Sequence, residues 1–189
     1  MASKKSGSRK QPSRYSQRRR VPWVAVLGAA AILIAVVLLA RSFGVGEAAV
    51  GTNIAAAGVG VHIPEGQPIT YAQTPPVGGS HWPSPALWGI STQPIPDERA
   101  VHNLEHGGVV ISQNGMSDAD LARLRSFLAA YPKDQFGEVK VVVRPYDKIA
   151  KGAIVLTAWS WTDPLTGYDA ARIKAFLDAH LNKCCENVP

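Results

Sequence analysis

Cysteine is scarce in this sequence: the 189 residues contain only two, Cys184 and Cys185. A small domain held together by several disulfides in place of a hydrophobic core is therefore excluded. A glycine-rich phosphate loop and the Gly-x-Ser-x-Gly turn of serine hydrolases are also missing. The chain is long enough for one ordinary domain with appendages, so one core must carry the fold.

Acidic residues are absent from the first twenty positions, whereas eight of the 20 Lys and Arg residues lie there. The formal net charge of +6 is therefore a local feature. From Ser42 onward 11 Lys and Arg face 14 Asp and Glu, a net charge of −3, so a nucleic-acid-binding domain is not indicated. Residues 1–20 have too little apolar surface to fold, and we predict a basic cytoplasmic tail that can contact anionic lipid headgroups.

Charged residues are also absent from residues 21–40, which Arg41 follows. A helix of this length spans roughly 30 Å, the thickness of the hydrocarbon core of a bilayer. The apolar region of a cleaved signal peptide is shorter, about 7–15 residues, and ends at small residues. We therefore predict an uncleaved single-pass anchor at residues 21–41, in contact with the lipid bilayer of the cell membrane. The N-terminus is expected in the cytoplasm and the rest of the chain outside it. A twin-arginine signal at residues 18–20 would place the C-terminal part on the same side.

Glycine and alanine dominate residues 42–60, which are predicted to be a linker. The extracytoplasmic domain is expected over residues 61–183, and residues 184–189 would form a C-terminal tail. Eight prolines lie between residues 62 and 96, so this part of the domain is predicted to be ordered loop. It is also a candidate for an edge strand.

Helix signals are clear in three places. Ser117 and Asp120 resemble a capping box before an apolar face with helical spacing, and a proline ends that helix. A last helix is predicted over residues 169–181. A shorter helix is predicted to begin with Asp97 as its N-cap and to end with Gly107 as a left-handed C-cap.

Strands are predicted from Val109, in VKVVVR and in AIVLTAWSW. Alternation in VKVVVR predicts a half-exposed strand that forms a hairpin with AIVLTAWSW. The resulting order is β-α-β-β-α. This order predicts an α+β fold, a small mixed or antiparallel sheet with two helices on one face, close to a ferredoxin-like arrangement without its final strand.

Two histidines lie four residues apart in the stretch HNLEHGG. On a helix, His102 and His106 share one face, so both imidazoles can reach one ion. Zn²⁺ or Cu²⁺ would need a further ligand. His81 is the leading candidate, because the two glycines of GGSHWP allow its loop to approach closely. The sequence therefore predicts a zinc or copper site at His81, His102 and His106.

Glu105 is predicted to be a further ligand or to orient a histidine, since metal-bound imidazoles commonly donate their other N–H to a carboxylate. His62 and His180 are weaker candidates that surface positions would explain. Two other hypotheses stay open. The histidines could be structural in a non-catalytic interaction module. Alternatively, His-x-x-Glu-His is the inverted zinc-peptidase motif, and Glu105 would be the base of a metal-dependent hydrolase.

The adjacent Cys184 and Cys185 leave several possibilities open. A bond between neighbours forms a strained ring, so free thiols, a cross-link to another chain, a soft-metal pair or no role at all would each fit.

The stretch GGSHWPSPALWGISTQPIPDERAVHNLEHGGVVI, followed by IVLTAWSW and DAARIKAFLDAH, resembles the bacterial membrane-anchored proteins grouped as domain of unknown function 3105. The resemblance covers about residues 60–183. The family pattern matches His81, His102, Leu104, Glu105, His106 and Gly107. The resemblance implies a short tail, one membrane span and this domain, and it implies no established activity. Some relatives carry a cysteine where this chain has Trp88, so their disulfide to the C-terminal region is not expected here.

Together these observations predict a membrane-anchored domain of the bacterial cell envelope that binds a transition metal for handling or sensing. They favour a non-catalytic role over an enzymatic one.

Overall fold

The computed structural model describes residues 27–28, 50–55, 60–186 and 188. The predicted tail at residues 1–20 lies outside the described residues, as does the predicted anchor at residues 21–41 except for Leu27 and Gly28. In the part of the chain that is described, no helix has both the length and the apolar character needed to cross a membrane.

Six strands and three helices follow one another in the described part of the unit Ala48–Pro189. In chain order they are β1 (Thr52–Asn53), β2 (Gly89–Ile90), α1 (Asp97–Glu105), β3 (Val109–Gln113), α2 (Asp118–Ala129), β4 (Val141–Pro145), β5 (Ile154–Ala158), β6 (Trp161–Leu165) and α3 (Ala170–His180). The strands form one sheet in the order β1-β6-β5-β3-β4-β2. Strand β3 is parallel to β4 and antiparallel to β5, so the sheet is mixed and the α+β prediction is confirmed.

The two faces of the sheet are covered by different parts of the chain. Successive residues of a strand point to opposite faces. Val109 and Ile111 of β3 pack in a buried apolar cluster with residues of α2 and α3, including Leu124 and Phe176. Val110, between them, packs on the other face against α1 and against residues 62–96, the proline-rich segment. Two helices therefore share one face, as predicted, and α1 lies on the second face.

Most helix ends follow their sequence signals. The side chain of Ser117 accepts a backbone N–H of α2, and Asp169 caps α3 in the same way. Gly107, just after α1, has a φ of +75°, which glycine adopts without strain. The predicted N-cap of α1 is wrong, because Pro96 holds that position without a side-chain hydrogen bond. Asp97 is instead the first residue of the helix.

The predicted hairpin is also wrong. Strand β3 lies between β4 and β5, and it pairs with both. Strands β3 and β4 are parallel because α2 crosses over and returns the chain to the same end of the sheet. The stretch AIVLTAWSW turns at Trp159 and Ser160, and the hairpin is formed by β5 and β6. A ferredoxin-like order, with the third strand between the first two, is not present in the described sheet.

Strand β4 is not half-exposed as predicted. Arg144 and the preceding Lys140 are each 1% exposed. Arg144 donates to Ser112 Oγ at 3.0 Å, to the Ile95 carbonyl at 2.7 Å and to Asp97 Oδ1 at 2.7 Å. The alternating pattern suggested a solvated face, whereas α1 and the proline-rich segment cover that face and satisfy the guanidinium. The same segment supplies the edge strand β2, parallel to β4.

Candidate metal site

Helix α1 and the residue after it carry three of the predicted site residues: His102, Glu105 and His106. Ala100 and Leu104 fix the helix by packing against the second face of the sheet. His102 is 4% exposed and Glu105 is 8% exposed. Apolar contacts on one side of α1 therefore hold polar side chains in a buried position on another side.

One side-chain amide of α1 makes two of the hydrogen bonds that attach the proline-rich segment to this helix. Asn103 Nδ2 donates to the Ala86 carbonyl at 2.9 Å, and Asn103 Oδ1 accepts the Ala86 N–H at 2.8 Å. Asn103 is fully buried, so these two hydrogen bonds satisfy groups that have no access to water. The segment thus has a fixed position on α1 although little of it is regular secondary structure.

His81 lies in this segment and is completely buried. Gly78 and Gly79, before it, have φ values of 151° and 113°, the glycine conformations that shape the predicted close loop. His81 Nδ1 is 2.9 Å from the Gly79 carbonyl. A carbonyl only accepts, so Nδ1 carries a proton, and in the neutral imidazole Nε2 then has the lone pair for a ligand.

His62 lies next to His81 because the chain around it forms an isolated parallel bridge with His81. Ile63 N donates to the His81 carbonyl at 2.9 Å, and His81 N donates to the Val61 carbonyl at 3.1 Å. The His62 ring stacks on the His102 ring, with centroids 5.0 Å apart and an interplanar angle of 15°. The side chain of His62 is 53% exposed, so this histidine connects the cluster to solvent.

His102 is oriented by the proline-rich segment. Its Nδ1 donates to the Trp82 carbonyl at 2.7 Å, so the lone pair is on Nε2, which lies 2.9 Å from His106 Nε2. Burial lowers the pKa of His102, and the neighbouring His106 and His81 lower it further against the opposing effect of the Trp82 hydrogen bond. The imidazole is therefore neutral at neutral pH, the form that binds a metal.

The ligand atoms of His62, His81 and His102 all lie within 4.8 Å of one another. Nitrogens bound to one tetrahedral Zn²⁺ at about 2.0–2.1 Å would be about 3.4 Å apart. The widest spacing in this histidine trio would therefore have to close by about 1.4 Å. Of the three, the exposed side chain of His62 has the most room to move.

Glu105 points at the same place. Its Oε2 lies 3.0 Å from His81 Nε2 and 3.9 Å from His62 Nε2. In spite of the short distance, His81 Nε2 makes no hydrogen bond with any described residue, because the carboxylate is out of line with the ring nitrogen. A buried lone pair beside a carboxylate oxygen is unfavourable by itself, and a cation between them would satisfy both. The donor set therefore fits a metal ion.

Gly60, which the sequence assigned to the linker, also belongs to the site. A Cβ at this position would overlap Glu105 Oε1 and would lie 2.7 Å from His81 Cε1. Only glycine allows the backbone to pass this close. No spacing signal in the sequence marks Gly60, because Glu105 and His81, which its backbone approaches, are more than twenty residues away along the chain.

The structure thus brings His81 and His102 together, and it adds His62, which the sequence ranked as a surface histidine. His106 lies beside His102, with their Nε2 atoms 2.9 Å apart, and is outside the group of three. His180 is elsewhere: its Nε2 is 2.6 Å from the Val50 carbonyl, and its ring packs against aromatic side chains of the other sheet face.

The C-terminal tail packs on the end of α1. Asn182 N donates to the Gly107 carbonyl at 2.8 Å, and Glu186 N donates to the Glu105 carbonyl at 3.1 Å. Cys184 and Cys185 are bonded to each other. The tail is therefore a neighbour of the histidines and part of the folded domain.

These features define an α+β domain with a buried histidine cluster on one face of its sheet. Residues 62–187 match the family described as Protein of unknown function (DUF3105), and the chain belongs to that family. The family resemblance of the sequence is thereby confirmed. Comparison with curated proteins and with solved structures finds no match.

Proposed function

We propose that the domain binds a divalent transition metal ion through His62, His81 and His102, with Glu105 as an oxygen ligand. Its role would be to hold or sense that metal. The observation that carries the proposal is the convergence of the trio, in which the Nδ1–H groups of His81 and His102 are directed to backbone carbonyls. Hydrogen bonds of this kind fix the tautomer and the orientation of metal-binding imidazoles. This ligand set differs from the predicted one by the exchange of His106 for His62.

The donor atoms select a class of metal. Imidazole nitrogens with one carboxylate suit Zn²⁺, Cu²⁺, Co²⁺ or Ni²⁺, whereas Mg²⁺ and Ca²⁺ prefer sites made of oxygen ligands. Soft Cu⁺ prefers thiolate and thioether ligands, which the trio does not contain. Zinc and divalent copper are therefore the ions to test first.

The position of Glu105 favours metal binding over hydrolysis. In a peptidase of the His-x-x-Glu-His type, the glutamate acts as a base on a metal-bound water. Here Glu105 Oε2 lies 3.0 Å from His81 Nε2, a spacing that suits two ligands of one ion. With its carboxylate on the ion, Glu105 is not available as the base. The alternative of an interaction module, with purely structural histidines, predicts no bound metal.

We also propose that residues 21–41 anchor the chain in a membrane and that the domain lies outside the cytoplasm. The uncharged run and the basic residues before it support this placement. We expect the chain in the membrane fraction of cells that express it, released by detergent but not by high salt. External protease should degrade the domain in intact cells. Recovery of the chain in the salt wash would contradict the anchor.

Elemental analysis tests the metal site directly. The full chain, purified in mild detergent and loaded with Zn²⁺, is expected to retain about one ion after dialysis. His81→Gln and His102→Gln should each lower the affinity by more than the roughly 10–100-fold that loss of an outer hydrogen-bond partner costs. Competition with a chelator of known affinity measures the change.

His180→Gln is the matched control, because an amide can still donate to the Val50 carbonyl and the position is remote from the trio. It should keep the wild-type affinity. A wild-type chain that is folded and holds no Zn²⁺ or Cu²⁺ would overturn the metal site and support the interaction module.

A further inference from the structure

Metal-binding side chains continue beyond the trio toward the C-terminal tail. His106 Nε2 lies 2.9 Å from His102 Nε2, and Glu186 Oε2 lies 3.8 Å from His106 Nε2. The exposed fraction of the side chain rises from 0% at His81 to 15% at His106 and 51% at Glu186. The row therefore runs from the buried His81 to solvent, on a path separate from the exposed His62.

His102 can bind one ion at a time. Its Nδ1 donates to the Trp82 carbonyl, so Nε2 is its only lone pair. That nitrogen lies 2.9 Å from His106 Nε2, and the His102 ring has its centroid 5.0 Å from those of His62 and His81. An ion held by His106 and Glu186 would therefore share His102 with an ion held by the trio, and the two states exclude each other.

We propose that His106 and Glu186 form an outer metal position, from which a divalent ion reaches the trio by ligand exchange at His102. This inference rests on the proposed function. As the ion moves inward, its bonds to Glu186 and His106 break, its bond to His102 persists, and bonds to His81 and His62 form. The step involves no oxidation or reduction. The proton between the two Nε2 atoms is released to solvent, which reaches the His106 and Glu186 end of the row, as the ion binds there, because only the unprotonated nitrogen binds metal.

The tail holds Glu186 at this position. Glu186 N donates to the Glu105 carbonyl at 3.1 Å, and Asn182 N donates to the Gly107 carbonyl at 2.8 Å. Farther along the tail, the buried Lys140 ammonium group donates to the Val188 carbonyl. The outer position has only two ligands of its own and one that it shares. It should therefore bind more weakly than the trio and release its ion readily.

Stopped-flow absorbance with Co²⁺, which becomes coloured when histidines bind it, measures transfer in the full chain. Glu186→Gln should slow both association and dissociation by at least about threefold. The equilibrium affinity should change by less than about twofold, because the final ligands are intact. A purely electrostatic effect of the lost charge would slow association alone.

Asp118→Asn is the control, since it removes an exposed carboxylate from α2 on the other face of the sheet. It should leave both rates unchanged. Unchanged rates in Glu186→Gln, with normal Co²⁺ binding, would mean that ions pass His62 instead and would overturn this inference alone. A loss of affinity as large as that of His81→Gln would make Glu186 a permanent ligand and would also overturn it. A wild-type chain that binds no Co²⁺ would remove the proposed function as well.

Discussion

The two faces of the sheet bury different kinds of groups. The face under α2 and α3 forms one apolar cluster that includes Ile111, Leu124 and Phe176. The face under α1 has a smaller apolar cluster and buries polar side chains, among them His102 and Arg144. Apolar burial stabilises a fold without specific partners, whereas each buried polar group requires its own. The apolar groups that stabilise the fold and the candidate metal site therefore lie largely on opposite faces of the sheet.

The largest loss of stability is expected from creating a cavity in the apolar face. Phe176→Ala removes a fully buried ring from the cluster and should lower the free energy of unfolding by about 3–5 kcal/mol. Urea unfolding followed by circular dichroism measures it. The metal affinity of the folded fraction should stay at the wild-type value, and a lost affinity would show that the faces are not separate.

A somewhat smaller loss is expected from breaking the buried ion pair of the second face. Asp97→Ala leaves the Arg144 guanidinium buried without its carboxylate and should cost about 3 kcal/mol of unfolding free energy. Lys148→Ala is the control, because Lys148 contacts the same carboxylate but is 61% exposed. It should change stability by less than about 1 kcal/mol. Equal losses of unfolding free energy in the two variants would show that burial of the ion pair does not determine its contribution to stability.

Gly60→Ala should affect metal binding more than stability. The added methyl group would overlap Glu105 and should weaken Zn²⁺ binding about tenfold, the scale of overpacking at a close contact. Chelator competition measures the affinity. Gly167→Ala is the control, since a Cβ there meets no atom within 4 Å. If both variants bind Zn²⁺ like the wild type, Gly60 is not part of the site.

The smallest expected effect is a pH dependence of the second face. Burial alone would raise the pKa of Asp97, but the Arg144 guanidinium and hydrogen bonds from Lys148 and Arg144 outweigh it and lower the pKa below its ordinary value. The unfolded chain therefore binds a proton at higher pH than the folded chain. The stabilisation is fully present above the ordinary pKa and is lost as the pH falls through the folded pKa.

Urea midpoints at a series of acidic pH values check this prediction. The difference in stability between the wild type and Asp97→Asn should shrink as the pH falls through that range. A constant difference would contradict the lowered pKa.

Local patterns were enough to predict the apolar face. The apolar spacing after Ser117 and before His180 identified α2 and α3, because helical periodicity is a property of neighbouring residues. Strand order was not accessible in this way. The alternation around Arg144 is typical of a strand with one solvated face. Only the contact with α1, which begins at the distant Asp97, shows that this face is covered.

The candidate site also has a part that local sequence patterns predict and a part that they do not. The spacing of His102 and His106 and the two glycines before His81 pointed to the cluster from the sequence. His62 and Gly60 could not be predicted, because they reach it through pairing with a loop about twenty residues farther along the chain. Long-range backbone pairing leaves no periodic signal for a single sequence to show.

The side-chain amide of Asn103 hydrogen-bonds only to the main-chain N–H and carbonyl of Ala86. These hydrogen bonds therefore do not depend on which side chain stands at position 86. Replacement of Ala86 should be tolerated over evolution wherever space allows. The isosteric Asn103→Asp should not, because a carboxylate cannot donate to the Ala86 carbonyl. One amide thus fixes the path of the backbone at position 86 without constraining the side chain there.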